Sequence, residues 1–276
     1  MRRELALLDD DVLLRLHERR PDRYPVLLES VGGPPNLGRY DVLLALPGER
    51  LLLQADGRLE ATPRATHQQR FLPALDAWWH SESSPVAPQG AEPFAGGWFL
   101  YLGYELAQEI ESRLRLPRSR HARALAWRMR GAVVRDRVSG EVALHAEPGS
   151  AERIRGELHA DLDTLPPPAA ASSAGRAGVL AVEEEPAGIF LRGVERILDA
   201  IGRGDVYQAN LSRGWCARLP ANRPASGLYR QLRDANPAPF SGIARLPGFT
   251  LLSSSPERLV RVRGRIASTR PIAGTR

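Results

Sequence analysis

The stretch "SSSPERLVRVRGRIASTRPIAGTR", residues 253–276, decides how the chain is read. An apolar segment, "FTLLSSS" (249–255), ends in small residues, and Pro256 then turns the chain at Glu257. Two runs, "ERLVRV" and "RIASTRP", flank Arg263-Gly264 and predict a β-hairpin. A carboxylate at a strand end beside small residues can face a cleft and act as acid or base. A solvated hairpin charge is the other reading of Glu257. Gly274 and Thr275 can present backbone and hydroxyl donors to an anion, or simply form a turn. Arg270 and Arg276 on either side complement carboxylates.

Upstream, "DVYQANLSRGW" (205–215) and "SGIARL" (241–246) read as strands, with Gln208 set among apolar neighbours. Phe190, Val194, Ile197, Leu198 and Ile201 repeat at helical spacing, and Gly202–Gly204 stop that helix. Before it, "LPPPAAASSAGRAG" (165–178) has no periodicity and reads as a linker. This divides the chain into residues 1–164, the linker, and residues 179–276. In the first part, 9–19 predict a helix ended by Pro21. "YPVLLES" (24–30) and "YDVLLALPG" (40–48) predict strands, and "ERLLLQADGRLEAT" a hairpin turning at Asp56-Gly57. "GGWFLYLGYELAQEIE" (96–111) predicts a buried strand running into a short helix. The stretch 124–147 predicts a pair of strands around Ser139-Gly140. Hairpins with occasional helices argue for an α+β fold with mostly antiparallel sheets.

Composition excludes several function classes. The 38 basic residues are all Arg, so no mechanism within these 276 residues uses a lysine. The net charge of +6 is spread among acids with no basic stripe interleaved with aromatics, which argues against nucleic acid as a partner. No apolar run reaches the ~18 residues of a membrane span. The opening "MRRELALLDDDVLLRL" is broken by Asp9–Asp11, and a cytoplasmic protein is expected. Cys216 is the single cysteine, and the six His are dispersed, so neither a disulfide nor a zinc site is indicated. Phosphate-loop and dinucleotide motifs are absent.

Five segments together are similar to one family. "YPVLLES", "GGWFLYLGYELA", "GDVYQANLSRGW", "NPAPFSGIARL" and the 253–276 stretch resemble the chorismate-utilising enzymes in order and spacing. That family includes anthranilate synthase component I and aminodeoxychorismate synthase component I. The resemblance implies a two-sheet α/β sandwich that acts on chorismate with Mg2+ and receives ammonia from a glutamine amidotransferase subunit. It further implies that residues 1–164 form the tryptophan-pocket side and that 179–276 begin the chorismate-binding domain. Family members continue well beyond "RPIAGTR", with the metal-binding carboxylates in that continuation. The resemblance therefore implies a chain that is the N-terminal part of an enzyme, inactive by itself, with no metal ligands of its own.

Residue by residue, the resemblance casts Glu257 as the general acid that assists loss of the chorismate C4 hydroxyl. Gln208 stands where isochorismate-forming relatives place a Lys base, and an amide cannot deprotonate water. Gln208, Arg270, Ala273, Gly274 and Thr275 are assigned to the substrate site by the resemblance. Leu28, Glu29, Ser30, Asn210, Pro239 and Phe240 match the tryptophan pocket. "YQANL" and "PAPFS" point to the branch making 4-amino-4-deoxychorismate for p-aminobenzoate and folate. Ala273 replaces the Lys of well-known members of that branch and points to anthranilate synthase. A truncated, non-catalytic remnant is the third expectation.

Overall fold

A computed structural model describes residues 4–5, 9–33, 37–62, 68–82, 93–166 and 179–272. By its contacts the chain divides into two units, Met1–Ala169 with Tyr229–Arg276, and Ala170–Leu228. This partition differs from the expected one, because the chain after Tyr229 returns to the N-terminal sheet. Most of the expected linker, 167–178, lies outside the described residues.

In the first unit the elements run β1 (Glu4–Leu5), α1 (Val12–Arg19), β2 (Val26–Glu29), β3 (Tyr40–Ala45), β4 (Arg50–Leu53), β5 (Leu59–Thr62), α2 (Phe71–Glu82) and β6 (Gly97–Leu102). They continue with β7 (Ala124–Met129), β8 (Gly131–Asp136), β9 (Val142–Ala146) and α3 (Ala151–Asp163). The second unit contains β10 (Ala181–Glu184), α4 (Ala187–Gly202) and β11 (Trp215–Arg218); α5 (Ala225–Ala235) then leads back to the first unit. There follow β12 (Phe240–Leu246), β13 (Phe249–Ser255), β14 (Arg258–Arg263) and β15 (Ile266–Arg270).

The described strands form a seven-stranded sheet, β1-β9-β8-β3-β2-β12-β13, a four-stranded sheet, β5-β4-β7-β6, and two two-stranded sheets, β10-β11 and β14-β15. All described pairings are antiparallel. Val26, Leu44, Val134 and Ala244 of the large sheet meet Leu52, Leu125 and Met129 of the small one in a shared apolar layer. The far face of the small sheet, through Leu51, Leu53, Ala124 and Ala126, is covered by Phe71, Ala74 and Trp78 of α2. Helices α1 and α3 pack on β2 and β9 of the large sheet. The expected two-sheet sandwich is therefore present in the first unit, with helices outside both sheets.

The turns follow their residues. Gly57 and Gly140 adopt φ of 90° and 76°, the left-handed region that glycine enters without steric cost. They close β4–β5 and β8–β9. The stretch 124–147 holds three strands, not a pair: β7 and β8 are contiguous and part company at Arg130, each joining a different sheet. At that crossing a Cβ on Gly131 would stand 2.5 Å from Ile154 Cδ1, so α3 can approach only a residue without a side chain. Neighbouring Arg128 is buried and donates to Glu82 Oε2 (2.7 Å), Glu147 Oε1 (2.6 Å) and the Gly97 carbonyl (3.0 Å).

Other expectations are corrected. Strand β6 lies at a sheet edge with Leu100 and Leu102 exposed, because α2 covers only part of that face. Between Asp205 and Gly214 the chain forms no strand; pairing begins at Trp215. Helix α4 matches its periodicity, and Leu198 and Ile201 of its apolar face are exposed.

Candidate functional site

The register of the large sheet assembles one end of it. Ser241 pairs with Glu29 on one side and with Ser254 on the other. Ser30, Pro239, Phe240 and Glu257 consequently gather where β2, β12 and β13 terminate or begin. The connection is tight. The Val31 and Gly32 N–H groups both donate to the Ala238 carbonyl at 3.1 Å. Arg258 reaches back to donate to the Leu37 carbonyl at 2.6 Å, with its guanidinium 5.3 Å from the Phe240 ring centroid.

Glu257 occupies the bend between β13 and β14, and its side chain is exposed. The local fold follows from the Ser run: Ser255 Oγ accepts from the Glu257 N–H at 3.3 Å and donates to its carbonyl at 3.2 Å. One carboxylate oxygen accepts a long hydrogen bond, 3.4 Å, from the Ile272 N–H. The acid is thus turned toward the segment that continues into Ala273, Gly274 and Thr275, which lie outside the described residues. Arg270, the last residue of β15, is exposed and pairs across the hairpin with Arg258. A carboxylate and two guanidinium groups on one hairpin can supply a proton and complement an acidic ligand.

The residues expected to form a tryptophan pocket separate into three environments. Leu28 lies on the inter-sheet face of β2, exposed and leaning over Gly242, where an added Cβ would be 3.1 Å from Leu28 Cδ2. Ser30, Pro239 and Phe240 are half-buried beside it. Glu29 points to the opposite face, as strand alternation requires. It is buried and accepts from Tyr229 Oη (2.7 Å) and Arg233 Nη1 (3.2 Å). Burial pushes its carboxyl above the usual value, against the opposing pull of Tyr229 and Arg233. Asn210 and Gln208 belong to the second unit and are exposed there.

Sequence reasoning missed Tyr229, Arg233, Asp41 and Arg137. For Tyr229 and Arg233 the signal was the "YRQLR" pattern (229–233), which places them one helical turn apart on one face of α5. Two concavities lie elsewhere: an apolar groove lined by Leu72, Leu75, Trp79, Trp98 and Leu100, and a polar one at Arg39, Asp136, Glu141 and His145. Neither includes an expected site residue. No group of three or more His, Cys, Asp or Glu among the described residues could hold a metal ion.

An antiparallel two-sheet sandwich with a Ser-Pro-Glu turn at one sheet end defines a class that comparison with known proteins identifies. Residues 39–276 match the chorismate binding enzymes, and the chain belongs to that family. It is 33% identical over 299 residues to anthranilate synthase component 1 of Cereibacter sphaeroides, covering 96% of this chain and 56% of that protein. It is 40% identical over 87 residues to aminodeoxychorismate synthase component 1 of Bacillus subtilis, covering 32% and 18%. The crystal structure of anthranilate synthase component I from Streptococcus pneumoniae shares the fold, with a TM-score of 0.67 at 22% identity over 86% of this chain and 54% of that one. The chain spans about half the length of the curated relatives it matches over most of its own length. No described helix is long and apolar enough to cross a membrane.

Proposed function

We propose that the full-length protein is an aminodeoxychorismate synthase component I, converting chorismate and ammonia to 4-amino-4-deoxychorismate and water. The family match over 39–276 carries the chorismate reading. The folate branch is supported by "YQANL" (207–211) and "PAPFS" (237–241), as argued from their resemblance. In this reading Glu257 donates a proton to the C4 hydroxyl, which leaves as water while ammonia forms the new C4–N bond and loses a proton. Hydroxide is a poor leaving group, so an acid at this point lowers the barrier. Arg270 and the donors of Gly274 and Thr275 hold the substrate carboxylates. Ala273 cannot form the covalent amine adduct, and no lysine elsewhere in residues 1–276 replaces it.

Ammonia would come from a glutamine amidotransferase partner, and the Leu28, Ser30, Pro239 and Phe240 cluster would hold tryptophan. Mg2+ belongs to the same reading, with its ligands outside the described residues. The protein is taken to work in the cytoplasm, and residues 1–276 alone are expected not to turn chorismate over. Anthranilate synthase component I is the second reading, favoured by Ala273 and by the long match to the Cereibacter sphaeroides protein. Full-length protein given chorismate, Mg2+ and ammonia decides between them by product. An aminated C4 product identified by mass and chromatography supports the proposal. Fluorescent anthranilate formed without an added lyase overturns it. Glu257→Gln is expected to reduce turnover about 10²-fold, and an unchanged rate would return Glu257 to a solvated surface charge.

A further inference from the structure

Below the end of the large sheet lies a set of buried polar groups that the chemistry above leaves unused. Glu29, 4% exposed, accepts from Tyr229 Oη at 2.7 Å and from Arg233 Nη1 at 3.2 Å. The other fork of Arg233 donates to Asp11 Oδ1 at 2.7 Å, ahead of α1. Arg137 lies on the opposite side, 3.9 Å from Glu29, and its Nε donates to Asp41 Oδ1 at 2.7 Å. That same Asp41 oxygen accepts the backbone N–H of Ser30 at 2.9 Å. Two consecutive residues of the pocket strand, Glu29 by its side chain and Ser30 by its backbone, are therefore fixed from beneath. The helix that supplies Tyr229 and Arg233 also leads directly into Pro239 and Phe240 on the pocket's other side.

There is no slack between these pieces. A Cβ on Gly32 would stand 2.6 Å from the Pro237 carbonyl oxygen, and one on Gly38 would stand 3.0 Å from that of Pro239. The Gly32 and Gly38 backbones thus pack directly on Pro237 and Pro239, which gives a displacement of Glu29 and Ser30 a short route to residues 237–240. A buried carboxylate deprived of a donor is costly, so it will move to find another.

We propose that Tyr229 and Arg233 are positioning residues: by holding the Glu29 carboxylate they set the spacing between Ser30 and Pro239–Phe240 at which a small aromatic amino acid is gripped. The ligand half of this statement rests on the tryptophan reading of the pocket; the positioning half does not. Two measurements on the full-length protein separate them. Amide hydrogen exchange reads Ser30–Gly32 and Phe240–Ser241, with Val42–Leu44 and Ala132–Val134 as internal controls. Titration with L-tryptophan reads the pocket. In Tyr229→Phe, exchange at the two pocket segments is expected to rise about tenfold with the controls unchanged, and tryptophan binding to weaken about tenfold or more. Arg233→Lys keeps the charge but loses the fork spanning Glu29 and Asp11, and should show a smaller local rise. It carries the test if Tyr229→Phe does not fold.

Unchanged exchange at Ser30–Gly32 and Phe240–Ser241 overturns the proposal. So does an increase spread equally over the controls, because that marks a merely structural role. If the wild-type chain binds no tryptophan, the ligand reading falls while the exchange pattern still decides positioning.

Discussion

Residues 24–146 and residues 187–202 both carry apolar side chains at regular spacing, yet the fold uses them differently. In the first stretch Val26, Leu44 and Val134 alternate into a layer closed by a second sheet, and Leu27 and Leu43 on the other face are fully buried. In α4 the stripe is just as regular, but Leu198 remains 61% exposed, and in the adjoining two-stranded sheet Val182 and Trp215 are exposed as well. Periodicity is a property of one element, whereas burial needs a second surface to pack against. The comparison teaches that the same sequence signal marks a finished core in one unit and an open face in the other.

The largest effect should come from paired truncations across the two regions. Leu43→Ala is expected to cost about 2–5 kcal/mol, since it opens a cavity in a fully buried site. Leu198→Ala should change stability by no more than about 0.5 kcal/mol. Urea unfolding of the two variants measures both, and equal losses would break the contrast. A smaller effect is expected where the first unit buries polar groups. Tyr24, 1% exposed, donates from Oη to Asp161 at 2.9 Å, while Arg23 donates to both oxygens of that carboxylate at 2.9 Å. Tyr24→Phe removes one of these donors and should cost about 1–3 kcal/mol by the same measurement.

The smallest effect is a pH slope. His17 is buried in α1, and its Nδ1–H donates to the Tyr24 carbonyl at 2.7 Å. Burial holds its pKa below the usual 6.5, only partly offset by that hydrogen bond. The folded state therefore favours neutral imidazole, and the unfolded chain takes up the proton first on acidification. Its stabilising contribution is complete above pH 6.5 and is lost as pH falls below it, by at most about 1.4 kcal/mol per pH unit. Unfolding midpoints between pH 7 and pH 5 should fall for the wild-type chain and flatten in His17→Gln. An equal slope in both would remove His17 as the cause.

Much of the strand pattern was legible because strand alternation, turn glycines and capping prolines are local. Tyr24–Ser30, Tyr40–Ala45, the Asp56-Gly57 turn and the 249–270 hairpins were read within a few residues of where they lie. Helices α2, α3 and α5 were missed. The stretch 124–147 was read as one hairpin because its apolar run does not record that the chain changes sheets at Arg130. The Glu257 turn was legible as a motif, but its exposure and its contact with Ile272 were not.

The order of the segments and the residue types at 28–30, 237–241 and 253–257 were determined by the sequence alone, since motif spacing is written along the chain. What each face packs against was decided by tertiary structure. Strand alternation turns Glu29 away from Leu28 and Ser30, but its donor on that face, Tyr229, comes from two hundred residues further along the chain. A buried charge goes where its partner is, and partners so distant in sequence are found only once the chain has folded.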